Sequence, residues 1–293
     1  MDGARVEAVT EGGETLTSVE HSVHERRLRA FAASVGDLST PLFDLDSPDG
    51  IVAHPVFPVC LEWPLVVAGP PGLGLDDAAV HAGLHVSHEI AWQRPIRPAD
   101  TVRTTLRVET LEQRSAGVHA VFAFATTGRD GELVVESRQG VLYRGSTLAV
   151  AAVDKARPRP TPTVTGPTGE VATFRVGGAD AVIYSECSGI WNPIHSDPRA
   201  ARAAGLPRPV LHGTATLARV VSALTEARLG GDPTQVGRLG CRFTAPISPG
   251  ERATVSATEV HPLPGGDRAL AFAVHDDAGV PILDDGFVEL AGG

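Results

Sequence analysis

The sequence predicts an α+β protein built from two tandem units of one kind, and three observations carry that expectation. A segment of helical period, TATLARVVSALTEARL at 214–229, is followed by segments that alternate apolar and polar residues. A pattern around Pro-Ile-x-Pro occurs once in each half of the chain, as RPIRPADTV at 94–102 and APISPGERA at 245–253. Between the halves lies ARPRPTPTVTGPTG at 156–169, rich in Pro, Thr and Gly and without an apolar period, which reads as an exposed linker. A helix with one apolar stripe and strands with one apolar face bury each other as layers. The expected organisation is therefore a unit over 1–155, a linker over 156–169 and a second unit over 170–293.

Taken in order, the first helix follows Ser22 and Glu25, which are spaced as a capping box. Leu28, Phe31, Ala32 and Val35 share one helical face, and Gly36 is a suitable stop. After Pro95-Ile96 comes an alternating run, Val102, Thr104, Leu106 and Val108, which predicts a strand. His119–Thr126 and Leu133–Leu142 follow as strands, with Asp130-Gly131 as turn residues between them. In the second half, Leu217, Val220, Val221, Leu224 and Ala227 line one helical face, and Gly230-Gly231 ends the helix. Ala253, Val255 and Ala257 then alternate, followed by strand candidates Ala269–His275 and Ile282–Leu290 around Asp277-Ala278-Gly279. A second repeat lies nearer the front of each half. FAASVGDLSTPLFD at 31–44 aligns without gaps on YSECSGIWNPIHSD at 184–197, setting Phe31 on Tyr184, Asp37 on Ile190 and Leu42 on His195.

Composition limits the function classes. The chain has 293 residues, 42% hydrophobic and 20% charged, and a formal net charge of −10. That charge argues against nucleic acid and anionic membranes as partners. No run of about 18 apolar residues predicts a membrane span. The acidic, Gly-rich beginning has neither the cationic start nor the apolar middle of a signal peptide, which predicts a cytoplasmic protein. Cys60, Cys187 and Cys241 are few, distant and odd in number, which fits reduced thiols. No Cys/His spacing of a metal site, phosphate loop or serine nucleophile elbow is present.

The stretch YSECSGIWNPIHSDPRAARAAGLPRPVLHG at 184–213 resembles the signature of MaoC-like, hydratase-2-type enoyl-thioester hydratases. Tyr184, Gly189, Asn192, Pro193, His195, Asp197, Ala204-Gly205 and Leu211-His212-Gly213 match that signature. AHPVFP at 53–58 resembles the degenerate N-terminal half of two-unit members, so the likeness spans most of 22–290. The resemblance implies a double hotdog, in which a curved antiparallel sheet wraps a central helix, twice. It implies hydration of 2-enoyl thioesters, or dehydration of (R)-3-hydroxyacyl thioesters, by an Asp/His dyad. The substrate would ride on CoA or an acyl carrier protein, with no other cofactor and no metal; a homodimer is compatible with the fold. The chain departs from the signature at the dyad's Asp, where it has Ile190.

Thioester hydration needs a base for water, a proton for Cα and a partner for the enolate oxygen. His195 is the candidate acid/base, because an imidazole titrates near neutrality, and Asn192-Pro193 stiffens its loop. Gly213 and Thr214 open the helix, where free amides and the helix dipole suit an oxyanion. Glu186, one nominal helical turn before Ile190, is a tentative replacement for the missing carboxylate. Asp197 suits a turn or cap, and Asp37 reads as a remnant or a helix-end turn residue. Tyr184, Trp191 and Ile190 are candidates for lining the acyl site. Arg199, Arg202 and Arg208 are candidates for phosphate or carrier contacts. Cys187, His54 and His212 read as structural. Two other outcomes stay open because of Ile190. One is altered thioester chemistry, such as conjugate addition, isomerisation or cyclisation in specialised metabolism. The other is a non-catalytic subunit that binds acyl thioesters.

Overall fold

The computed structural model describes residues 5–11, 14–70, 72–76, 79–80, 82–156, 161–162, 168–260 and 268–292. Most of the predicted linker, at 157–160 and 163–167, lies outside the described residues. The first half of the chain forms β1 (Val6–Glu11), β2 (Glu14–Ser22), α1 (Glu25–Val35), α2 (Thr40–Phe43), α3 (Val59–Ala68), β3 (Leu84–Trp92), β4 (Thr101–Arg114), β5 (Gly117–Thr127) and β6 (Leu133–Arg144). Then come β7 (Val153–Asp154), β8 (Gly169–Arg175), α4 (Asp180–Ser188), α5 (Pro198–Ala203), α6 (Gly213–Arg228), β9 (Val236–Phe243), β10 (Arg252–Val260), β11 (Ala269–Asp276) and β12 (Pro281–Leu290).

Two compact units result. The first takes Met1–Ser22, Pro58–Arg94 and Asp100–Pro160, and the second takes Val23–Phe57, Pro95–Ala99 and Thr161–Gly293. In the first, antiparallel strands run β1-β2-β4-β5-β6-β3, with β7 added to β4. The apolar face of this sheet, including Leu106, Phe122 and Phe124, packs with Leu65 of α3. In the second unit the order is β9-β12-β11-β10-β8, also antiparallel. Its core holds Leu217, Val220, Val221 and Leu224 of α6 with Val255, Phe272 and Val274 of the strands, all buried.

The alternating runs became strands, and the 214–229 helix is α6, one residue earlier. Helix α3 had no readable stripe, because VCLEWPLVVA is apolar nearly all round and carries Pro64 inside. The predicted capping box is not formed. Ser22 ends β2, and the residue preceding α1 is His24, which makes no side-chain cap. The front segment 23–57 belongs to the second unit, where α1 packs on α4 and Phe31 meets Tyr184 at 5.7 Å. Leu42, the counterpart of His195, is buried with Ala32 and Val52 and partners Phe43.

The first unit also buries a polar chain. His88 Nδ1 lies 3.1 Å from His85 Nε2, and His88 Nε2 lies 3.5 Å from Glu62 Oε2. Ser137 donates its hydroxyl to Glu62. Strand residues three apart face opposite sides, but a register shift between His85 and Ser87 lets these two imidazoles meet. Burial pushes the Glu62 carboxyl up to about 7 and holds His88 well below the usual histidine range.

Candidate functional site

The loop that carries His195 is built by four local devices. Gly189, at φ 78°, ends α4 in the left-handed conformation. Ser188 Oγ then accepts the Ile190 N–H at 3.1 Å. Asn192 caps the short 3-10 turn Pro193–His195, its Oδ1 accepting the Ile194 N–H at 3.2 Å. Asp197 caps α5 by accepting the Arg199 N–H at 2.8 Å. His195 Nδ1 lies 2.9 Å from the Val210 carbonyl. A carbonyl only accepts, so Nδ1 carries the proton and Nε2 keeps its lone pair. Burial lowers the His195 pKa to about 4, so the ring is neutral at neutral pH.

His212 stacks on His195, with ring centroids 3.5 Å apart and planes at 23°. Tyr184 flanks it at 4.8 Å. His212 Nε2 is 3.2 Å from the Ile190 carbonyl and 3.2 Å from Ser185 Oγ. By the same logic Nε2 holds the proton. Its Nδ1 is buried and has no partner among the described residues. Burial, then the neighbouring His195, pushes the pKa of His212 to about 2.

Gly213 opens α6. A Cβ there would stand 2.9 Å from the Phe243 ring, so the position admits no side chain without movement. The first-turn amides of a helix have no intrahelical acceptor and sit at the positive end of its dipole. Thr214 is held by its side chain, whose Oγ1 accepts the Tyr184 hydroxyl at 2.9 Å. The second unit thus brings together a neutral imidazole with an open Nε2, a second neutral imidazole with an open Nδ1, and a helix amino end.

Several predicted residues stand elsewhere. Glu186 is exposed, whereas Tyr184, Ser185 and Ser188 form the buried face of α4. Because Gly189 ends that helix, Ile190 does not continue its face, and Glu186 does not replace the missing carboxylate. Tyr184 has 0% exposure and supports Thr214 from the core. Ile190 is buried, and Trp191 is 41% exposed beside it. Arg199 is paired with Asp197, and Arg208 with Glu251, which leaves Arg202 exposed without an acidic partner among the described residues. Burial, then Glu186, raises the Cys187 thiol, the opposite of an activated nucleophile.

A cluster in the front segment escaped the sequence reading. His54, wholly buried, places Nε2 3.7 Å from Asp37 Oδ2 and 3.0 Å from Ser222 Oγ on α6. Its Nδ1 accepts the Val56 N–H at 3.0 Å. Asp37 Oδ1 accepts the Ser39 N–H at 3.1 Å. Burial lowers His54 to about 4; Asp37 stays below its ordinary value because its partners outweigh its own burial. The signal that could have found the pair is the likeness of VAHP at 52–55 to VLHG at 210–213, which sets His54 on His212.

Residues 151–268 match the family model "MaoC like domain", and residues 11–137 match "FAS1-like, dehydratase domain region". The chain is 32% identical over 193 residues to an enoyl-CoA hydratase of Mycobacterium tuberculosis, covering 64% of this chain and 63% of that protein. It is 28% identical over 229 residues to 3-hydroxyacyl-thioester dehydratase Y of the same organism, covering 72% and 73%. A MaoC-like dehydratase structure from Phytophthora capsici superposes with a TM-score of 0.80 at 22% identity, covering 95% of this chain and 96% of that one. A Mycobacterium tuberculosis protein described as having a double hotdog fold matches with a TM-score of 0.60 at 17% identity, over 99% and 96%. No helix among the described residues is long and apolar enough to cross a membrane.

Proposed function

The chain belongs to the MaoC-like double hotdog proteins, and we propose that it hydrates 2-enoyl thioesters, or dehydrates 3-hydroxyacyl thioesters, at His195 and the amino end of α6. The observation that carries this reading is the Val210 carbonyl on His195 Nδ1, which leaves a lone pair on Nε2 in a ring stacked on His212, the residue before Gly213. In the hydration direction Nε2 takes a proton from water as the water oxygen bonds to Cβ. The displaced electron pair moves to the thioester oxygen, which the Gly213 and Thr214 amides receive. The proton on Nε2 then passes to Cα, closing the cycle without a metal or a further cofactor. Acyl-CoA is the carrier named for the hydratase relative, and a pantetheine arm on a carrier protein presents the same thioester.

The test is hydration of crotonyl-CoA by wild type and by His195→Ala. The variant should lose about 10³-fold in kcat/KM. Because burial holds His195 at about 4, wild-type kcat/KM should stay flat from pH 7 down to near pH 4 rather than falling at 6.5. Equal turnover in the two proteins would remove His195 from the mechanism.

A further inference from the structure

We propose that Tyr184 and Ser185 are positioning residues: their hydroxyls hold the turn 212–214 in the arrangement that leaves the first amides of α6 unspent. The inference rests on the hydratase reading above, in which those amides receive the thioester oxygen.

Two neighbouring side chains of α4 reach the two residues that flank Gly213. Ser185 Oγ accepts the His212 Nε2–H at 3.2 Å, a donor shared with the Ile190 carbonyl. Tyr184 donates its hydroxyl to Thr214 Oγ1 at 2.9 Å. Tyr184, Ser185, His212 and Thr214 are all buried, so both bonds lie where the low dielectric strengthens them.

What the pair holds back is a hydrogen bond that the turn could make within itself. His212 precedes α6, in the place from which a side-chain acceptor takes the N–H of the second or third helical residue. Thr214 is that second residue. Yet His212 makes no such cap, and its Nδ1 has no partner among the described residues. The Gly213 and Thr214 amides also meet no backbone acceptor among the described residues.

The front repeat shows the closed arrangement. VAHPV at 52–56 lies on VLHGT at 210–214, and Phe31-Ala32 lies on Tyr184-Ser185. Phe31, Ala32 and Val56 thus replace Tyr184, Ser185 and Thr214, and all three hydroxyls are gone. The ring packing stays, with Phe31 5.5 Å from His54 and Tyr184 4.8 Å from His212. Only the polar part differs, and there His54 Nδ1 accepts the Val56 N–H at 3.0 Å. That amide is the counterpart of Thr214's. The repeat without the hydroxyls spends it on its own imidazole; the repeat that has them does not.

The experiment uses the full-length protein and two readouts, crotonyl-CoA hydration and 15N spectra of histidine-labelled protein. Tyr184→Phe and Ser185→Ala, alone and together, install side chains that already pack in the front repeat. Each single variant should lose up to about tenfold in kcat and the pair about 10²-fold, near the loss of one oxyanion donor, with KM changed less than about threefold. Adding Thr214→Val to Tyr184→Phe should cost no more than about twofold further, because the same bond is already gone. In the spectra, His212 Nδ1 should pass from unbonded in wild type to hydrogen-bonded in Tyr184→Phe/Ser185→Ala. Wild-type kcat in that pair overturns the proposal. So does an Nδ1 that stays unbonded there, which would mark a packing role alone, and so do additive losses for Tyr184→Phe and Thr214→Val. Should the pair not fold, the single variants carry both readouts. The spectra need no turnover, so they test the turn even if crotonyl-CoA is not hydrated. Full activity in His195→Ala would sink the hydratase reading separately.

Discussion

His54 and His212 occupy equivalent places in the two repeats, and each packs against the aromatic residue of its own repeat, Phe31 at 5.5 Å and Tyr184 at 4.8 Å. Each ring meets one hydroxyl, and their other polar surroundings differ. His54 faces a carboxylate and a hydroxyl, has its other nitrogen capped by a backbone amide, and is wholly enclosed. His212 faces a carbonyl and a hydroxyl, stacks on a half-buried imidazole, and keeps one nitrogen open. After His54 comes Pro55, which has no amide hydrogen; after His212 comes Gly213, which does. Duplication supplied the same ring twice. One copy became a fastening between the front segment and α6, and the other kept the groups that chemistry can use.

The sharpest break of this comparison is at Gly213. Gly213→Ala drives a Cβ towards the Phe243 ring, 2.9 Å away, and displaces the amides at the helix start. Turnover should drop by about 10²- to 10³-fold, equivalent to about 3–4 kcal/mol, read in steady-state hydration. Wild-type turnover in that variant would mean that the amino end of α6 receives no charge.

A third imidazole offers a control, since His88 also faces a carboxyl, Glu62, but in the first unit. Here the folded protein holds the Glu62 proton up to about pH 7, against 4.5 as the ordinary value. Its contribution to stability is complete below pH 4.5 and is lost as pH rises through 7. Glu62→Gln keeps an acceptor for Ser137 and cannot ionise. It should gain up to about 3 kcal/mol over wild type at pH 8 and little at pH 4.5, measured by urea denaturation. A constant difference across that range would contradict the buried carboxyl.

The smallest effect on chemistry belongs to Asp37. Asp37→Asn weakens the fastening around His54 and should cost about 1–3 kcal/mol in denaturant stability, while kcat/KM changes less than about twofold. A large loss of turnover without loss of stability would make the front repeat a participant and dissolve the contrast between the two imidazoles.

The strands were legible where alternation survives, as at Val102, Thr104 and Leu106 in β4 and at Ala253, Val255 and Ala257 in β10, all buried. Helix α3 was not, since an element buried nearly all round has no stripe to read. His195 and Gly213 were legible as positions within a motif, and Asp197 as a cap. Glu186 was misplaced because helical spacing was carried past Gly189, where the helix stops. The Asp37–His54 contact left one indirect trace, the likeness of VAHP to VLHG, and the stacking of His212 left none. Both depend on a chain reversal that brings residues distant in sequence together, and neither residue type announces its partner.

The interleaving of segments bears on how the chain is made. Residues 23–57 pack in the unit completed by 161–293. Synthesis proceeds at about 5–20 residues per second, so the front segment emerges roughly tens of seconds before its last partners. During that interval Phe31 and His54, which meet Tyr184 and Ser222 in the finished protein, lack those partners. The nascent chain must therefore carry an incompletely covered segment until residues 161–293 have been made, and a fragment beginning after residue 57 would lack Asp37 and His54 on the face that α6 presents to them.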